Sequence, residues 1–259
     1  MPEAAADARN IAVYIDFENV AIGVRDARFR SFEIQLVLKR LIEKGNIVVK
    51  RAYADFKKFD AQKRSLHEAG VELMDMPGSK LTGKNSADIK MVVDALELSY
   101  SKPHIQVFAV VSGDSDFTPL VSKLRENNKY TIAIGVKNST SPMLIDACDE
   151  FIFYDDLVRK PTKALPPPRV EGLPKKTREA FVMLTNAIEA LQRENKNLHS
   201  SLVKETMKRL QPQFNEEYHG YRSFTRLLED AQKHDIISMH RDARSGTYVI
   251  DEILEDNAG

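Results

Sequence analysis

Two aspartates one residue apart, Asp114 and Asp116, close the apolar run Ile105–Val111 after a Ser112-Gly113 turn, and Asp16 closes a second run, Ile11–Ile15, with Asn19 just beyond it. A fourth, Asp88, stands in the first turn of a helix predicted from Ser86. With no histidine or cysteine among them, Asp16, Asp88, Asp114 and Asp116 form a hard, all-oxygen set that suits Mg²⁺ or Mn²⁺ and not zinc. Ions held there can bind a scissile phosphate, activate water and stabilise the leaving oxygen of an in-line displacement. Ser112 and Asn19 either orient a ligand or complete turn hydrogen bonds, and Lys84 either meets a phosphate or is solvated. Each aspartate also has a purely structural reading as a helix cap. That reading suits Asp116 best, because Pro119 falls in the first turn of the next helix. Together they point elsewhere: the Asp16 and Asp114 motifs contain no basic residue, so bringing them to one edge costs like-charge repulsion unless a cation intervenes.

The elements that must position these residues alternate. After Asp16 comes a charged loop over 20–30, then a helix with Ile34, Val37, Leu38, Leu41 and Ile42 on one face, stopped at Gly45-Asn46. A strand from Ile47 to Tyr53, a polar helix ending at Gly70 and a short strand over 71–75 follow. A loop over 76–85 leads into the helix of Asp88, whose apolar positions Ile89, Val92, Val93 and Leu96 predict its buried stripe. Asp94, about one and two-thirds turns beyond Asp88, points away from the site. After the central strand come a helix over 117–128, a strand over 131–136, a short helix and a last strand over 150–154. Such alternation predicts an α/β fold with a mostly parallel sheet and helices on both faces. Open sheets of this kind bind ligands at the carboxyl ends of their strands.

A proline-rich basic linker, 158–176, ends this domain of residues 9–157. From Arg159 to Lys176 it holds five prolines and six basic residues against one acid, which excludes a helix or central strand. Over 177–254 the period first predicts three helices, one carrying Phe181, Leu184, Ile188 and Leu191, a second near Ser200–Leu210, and a third carrying Phe224, Leu227 and Leu228. It then switches to alternation on either side of a polar turn at 241–246, the outline of a small α+β winged helix. Phe181, Leu227 and Tyr248 are expected in its core.

The 259 residues carry 38 basic and 38 acidic side chains, so global charge points to no partner, although a local patch suffices for phosphate. The lone Cys148 excludes an internal disulfide and suits a reducing compartment. No apolar run approaches the ~20 residues of a membrane span, and the expected location is cytoplasmic. The six histidines lack zinc-ligand spacing, and neither GxGxxG nor GxxxxGK[ST] occurs. Lys50, Arg51, Lys57, Lys58, Lys63 and Arg64, interleaved with Tyr53, Phe56 and Phe59, either track a nucleic-acid backbone with stacked bases or form a solvated face over core aromatics.

The blocks Ile11-Ala-Val-Tyr-Ile-Asp-Phe-Glu-Asn19, Ala87-Asp-Ile-Lys-Met-Val-Val-Asp-Ala-Leu96 and Val110-Val-Ser-Gly-Asp-Ser-Asp-Phe117 resemble the signature blocks of the NYN domain, the LabA-like branch of the PIN nuclease superfamily. The resemblance implies metal-dependent RNA cleavage, with Asp16, Asp88, Asp114 and Asp116 as the metal-binding acids. The stretch Leu198–Phe224 is similar to the OST-HTH or LOTUS domain, a winged helix of RNA-associated proteins, which implies recognition of RNA or docking of a protein partner. From Glu179 onward, however, the tail has 14 acidic and 10 basic residues, fewer cations than a phosphate-binding face usually shows. A metal-dependent ribonuclease is therefore the leading reading. A non-catalytic RNA-binding or regulatory adaptor is the alternative, and a hydrolase of small phosphates the third.

Overall fold

The computed structural model describes residues 9–76, 85–159, 172–243 and 246–254. Lys84, most of the loop after Met76 and most of the linker lie outside the described residues. The chain divides into two compact units at Lys160/Pro161.

In the first unit the chain runs β1 (Asn10–Asp16), α1 (Phe17–Asp26), α2 (Ile34–Lys44), β2 (Asn46–Ala54), α3 (Asp60–Glu68) and β3 (Glu72–Asp75). It continues through α4 (Ser86–Ser101), β4 (Ile105–Val111), α5 (Thr118–Glu126), β5 (Tyr130–Gly135), α6 (Pro142–Ala147), β6 (Glu150–Phe153) and α7 (Tyr154–Val158). The six strands form one sheet in the order β3-β2-β1-β4-β5-β6, and every neighbouring pair is parallel. The first three strands are laid down in one direction from β1 and the last three in the other from β4. Between β1 and β4, therefore, the crossovers diverge and leave a crevice at the carboxyl ends.

Both faces of the sheet are covered, which is why β1 and β4 read as near-continuous apolar runs, Ile11–Ile15 and Val107–Val111. Along β1 the side chains alternate. Ile11, Val13 and Ile15 pack with Val20, Val37, Leu41 and Leu66 from α1, α2 and α3. Ala12 and Tyr14 pack with Met91, Leu120 and Leu124 from α4 and α5.

Two local expectations are corrected. Residues 17–26 form α1 and not a charged loop, because Asp16 caps the helix and Phe17, Val20 and Val24 bury one side of it. The apolar stripe of α4 is turned away from where it was expected. Ile89 and Val93 are 62% and 51% exposed, and the buried positions are Met91, Asp94, Ala95 and Ser99. Burying Asp94 is tolerated because Tyr53 Oη donates to its carboxylate at 2.8 Å and Lys90 Nζ reaches it at 2.6 Å.

The second unit contains α8 (Lys175–Arg193), α9 (Ser200–Leu210), α10 (Phe224–Lys233) and the antiparallel pair β7 (Ile237–Arg241) and β8 (Tyr248–Ile253). Phe181, Leu184, Ile188, Val203, Met207, Leu227, Leu228, Ile237 and Ile250 form one core, with Tyr248 partly buried against it. Ser223 caps α10 by accepting from the Arg226 N–H. The expected order of three helices and a hairpin is present. A single bridge from His199 to Val249 ties the start of α9 to the hairpin.

Candidate active site

Asp16 is the last residue of β1 and the cap of α1, so strand pairing and helix capping aim its carboxylate at the crevice. One oxygen accepts from the Asn19 N–H at 3.2 Å, the other from Ser112 Oγ at 3.0 Å. Ser112 is fully buried and in turn accepts from the Asp114 N–H at 3.2 Å. Asn19 Oδ1 accepts from the Gly113 N–H at 3.0 Å. These bonds lock the end of β1 to the turn after β4. Ser112 and Asn19 thus complete turn hydrogen bonds.

Asp114 caps the 3-10 turn Ser115–Phe117, accepting from the Asp116 N–H at 2.9 Å. The cap expected of Asp116 therefore falls to Asp114, and α5 has no side-chain cap. Asp116 is exposed, and among the described residues its carboxylate accepts no hydrogen bond. Gly113 has no room for a side chain. A Cβ there would meet Ser139 O at 2.7 Å and Thr140 Cα at 3.0 Å, so only glycine lets this turn lie against the loop after β5.

Asp16 and Asp88 each feel other acids of the set. Burial raises the Asp16 carboxyl from its ordinary 3.8 to about 7; Asp88 and Asp114 add repulsion, against the lowering by the Asn19 N–H and Ser112. Asp88 is also raised, first by burial and then by Asp114, Asp116 and Glu18. Four acids from the ends of β1 and β4 and the start of α4 thus share one field. Glu18 is a fifth that the sequence reading passed over, although it lies inside the Asp16 motif. Lys58 pairs with it at 3.3 Å.

Among the described residues, no three carboxylate, imidazole or thiolate groups stand close enough to ligate one ion together. Mg²⁺ and Mn²⁺ take oxygen ligands, and Mg²⁺ commonly keeps several waters beside one or two carboxylates. The donor chemistry, all oxygen and short of positive charge, fits the same ions.

The basic and aromatic stretch over 50–64 resolves toward the solvated face. Tyr53 and Phe56 are 1% exposed and belong to the cores. Arg51, Lys63 and Arg64 pair with Glu72, Asp60 and Glu68, and Lys50 Nζ donates to Ala69 O.

The family model of the NYN domain matches residues 10–155, from the first residue of β1 to α7, enclosing all four aspartates. The chain belongs to the NYN-domain family. NYN domains form part of the PIN-like nuclease superfamily, in keeping with the parallel sheet and its acidic crevice. The NYN chain is 31% identical over 125 residues to an uncharacterized protein of Methanocaldococcus jannaschii, a match covering 48% of this chain and 49% of that one. It therefore spans about half the length of that curated relative. Its fold is similar to a protein of unknown function from Vibrio parahaemolyticus solved by crystallography, with TM-score 0.53 and 27% identity, covering 61% of this chain and 98% of the other. Among the described residues no helix is long and apolar enough to cross a membrane.

Proposed function

We propose that this NYN protein is a metal-dependent ribonuclease that hydrolyses RNA phosphodiesters at the crevice between β1 and β4. The observation that carries the reading is that Asp16, whose carboxyl burial raises to about 7, is also repelled by Asp88 and Asp114, and that Asp88 in turn is repelled by Asp114 and Asp116. A structural cluster would recruit a lysine or arginine to offset that cost, whereas a site awaiting a cation leaves it standing.

Asp114 and Asp116, the more accessible pair, and Asp88 would hold Mg²⁺ or Mn²⁺, with Asp16 completing the set once ionised. The bound ion supplies Lewis-acid polarisation of the phosphate and neutralises its charge. Asp16 would hold the cation as a carboxylate, so metal binding would be accompanied by release of its proton. Ser112 and Asn19 fix the carboxylate positions through the bonds described above. Lys84 is proposed as a phosphate contact.

The domain assignment proposed is an NYN domain over 9–157, a linker over 158–176 and an OST-HTH/LOTUS winged helix over 177–254 that recognises RNA or a protein partner. The helix-helix-helix-hairpin order supports the last. The lone cysteine supports action in the cytoplasm.

One observation favours a non-catalytic RNA-binding adaptor, namely that the carboxylates stand apart and not in a ready-made ligand cage. Cleavage of a pool of labelled RNAs, measured with Mn²⁺, Mg²⁺ or EDTA, separates the two. The ribonuclease reading expects metal-dependent products that a folded Asp114→Asn, Asp116→Asn double variant does not form. RNA binding without products in either metal overturns it in favour of the adaptor.

A further inference from the structure

At the opposite edge of the sheet the charge is reversed. Where β1, β4 and β5 begin, a concavity of about 590 Å³ is lined by Arg9, Gln106, Arg125, Lys129, Tyr130 and Asp149 among others. It lies roughly 20 Å from the acidic crevice, the length of a seven-residue strand.

Its three cations are not balanced by its one carboxylate. Asp149 is fully engaged: one oxygen pairs with Arg125 Nε at 3.0 Å, and the other accepts from the Thr131 N–H and Oγ1, both at 2.8 Å. Lys129 is 9% exposed and donates only to the neutral Ile105 carbonyl, at 2.8 Å. The guanidinium of Arg9 lies over the Tyr130 ring, 5.2 Å from its centroid, and has no carboxylate partner among the described residues. Two cations without a counter-charge among the described residues, in a concave site, amount to an anion site, and phosphate is the anion that guanidinium and ammonium groups match best. Desolvation also lowers the Lys129 pKa, a cost that an arriving anion relieves.

The lining offers more than charge. Tyr130 is 36% exposed, and together with the Arg9 guanidinium over its ring it forms a cation–aromatic pair at the rim. Gln106 Oε1 is held by the Asn10 N–H at 2.8 Å, which orients its NH₂ donors. The volume falls in the range of small-molecule sites. We propose that this pocket binds a nucleoside monophosphate, with the phosphate on Arg9, Lys129 and Arg125 and the base beside the Arg9–Tyr130 pair within reach of the Gln106 amide. The site is separate from the acidic crevice, and the inference does not depend on the nuclease reading.

The test is calorimetric titration of the full chain at low salt in EDTA, which removes metal-mediated binding at the crevice. The titrants are AMP, GMP, CMP, UMP, their nucleosides and inorganic phosphate, applied to wild type, Arg9→Gln and Asp114→Asn. The expected result is saturable binding of at least one mononucleotide, weaker binding of inorganic phosphate and none of the nucleosides. Affinity should fall about tenfold or more in Arg9→Gln, the loss of one charge-assisted contact, and stay unchanged in Asp114→Asn. Arg9→Gln breaks no described side-chain hydrogen bond or ion pair, and a melting curve confirms its fold. Tyr130→Leu should weaken the mononucleotide while sparing inorganic phosphate. Absence of mononucleotide binding, or equal binding by wild type and Arg9→Gln, overturns the site. Inorganic phosphate binding as tightly as every mononucleotide overturns the base contact.

Discussion

Asp16 and Asp94 are both carboxylates buried in the NYN unit, at 6% and 5% exposure, and their surroundings are opposite. Asp94 sits between α4 and the sheet, where Lys90 supplies a positive charge and Tyr53 a hydroxyl, while Tyr14 Oη donates to its main-chain carbonyl at 3.2 Å. Burial and the Asp94 acceptor push the Tyr53 phenol upward, as befits a hydroxyl held firmly as donor. Asp16, at the sheet edge, receives only a backbone N–H and a serine hydroxyl and faces further acids. The difference teaches that burial alone does not mark a functional carboxylate. Missing compensation does: Asp94 holds the fold together, whereas Asp16 is kept at a cost to the fold.

Four measurements can break or sharpen that contrast. The largest effect is on activity. Replacing Asp114 and Asp116 by asparagine should reduce RNA cleavage by about 100-fold or more while the melting temperature holds, since carboxylates lost from a metal site remove the ion and its chemistry. An Asp94→Ala variant should behave in reverse, losing about 3 kcal/mol of stability because Lys90 and Tyr53 are left beside an empty, buried position. Its cleavage per folded molecule should be unchanged. If Asp94→Ala melts like wild type, the compensation is not structural.

Asp16→Asn should stabilise. The unfolded carboxyl ionises near its ordinary 3.8 and the folded one at about 7. Between those values the folded chain holds a proton that the unfolded chain has released, so wild-type stability declines as pH rises from 4 to 7. Removing the charge should therefore leave stability near pH 4 unaltered and raise it by roughly 2–4 kcal/mol at pH 8. Melting curves across pH check this, and Mg²⁺ should raise the wild-type midpoint at pH 8 more than that of the variant. The smallest change is expected from Ser112→Ala, about 1 kcal/mol for two buried hydrogen bonds lost through one hydroxyl, together with a further rise in the Asp16 pKa. Titration of Asp16 by NMR would show the second effect.

The same contrast marks how far the sequence could be read. Strands buried on both faces announce themselves, because Ile11–Ile15 and Val107–Val111 are apolar throughout, and an aspartate after each was visible as a candidate site. The face of α4 was not. Ile89 and Val93 follow helical spacing, yet they face outward, while Asp94 turns inward because Tyr53 from β2 and Lys90 on its own helix offset its charge. No local pattern reports a partner supplied from another element. In α1, the charges of Glu18, Arg25 and Asp26 hid the buried side made by Phe17, Val20 and Val24. The basic edge pocket was equally hidden, since Arg9, Gln106, the Arg125–Tyr130 stretch and Asp149 come from four separate places in the chain.

By itself the sequence determined the alternation of strands and helices, hence the parallel sheet, and the positions of the acids at strand ends, because periodicity and turn residues act within a few positions of one another. Only the tertiary structure decided which carboxylate would be compensated. Compensation depends on groups from distant segments meeting at hydrogen-bond distance, as Lys90 and Tyr53 do at Asp94 and as no cation does at Asp16 among the described residues.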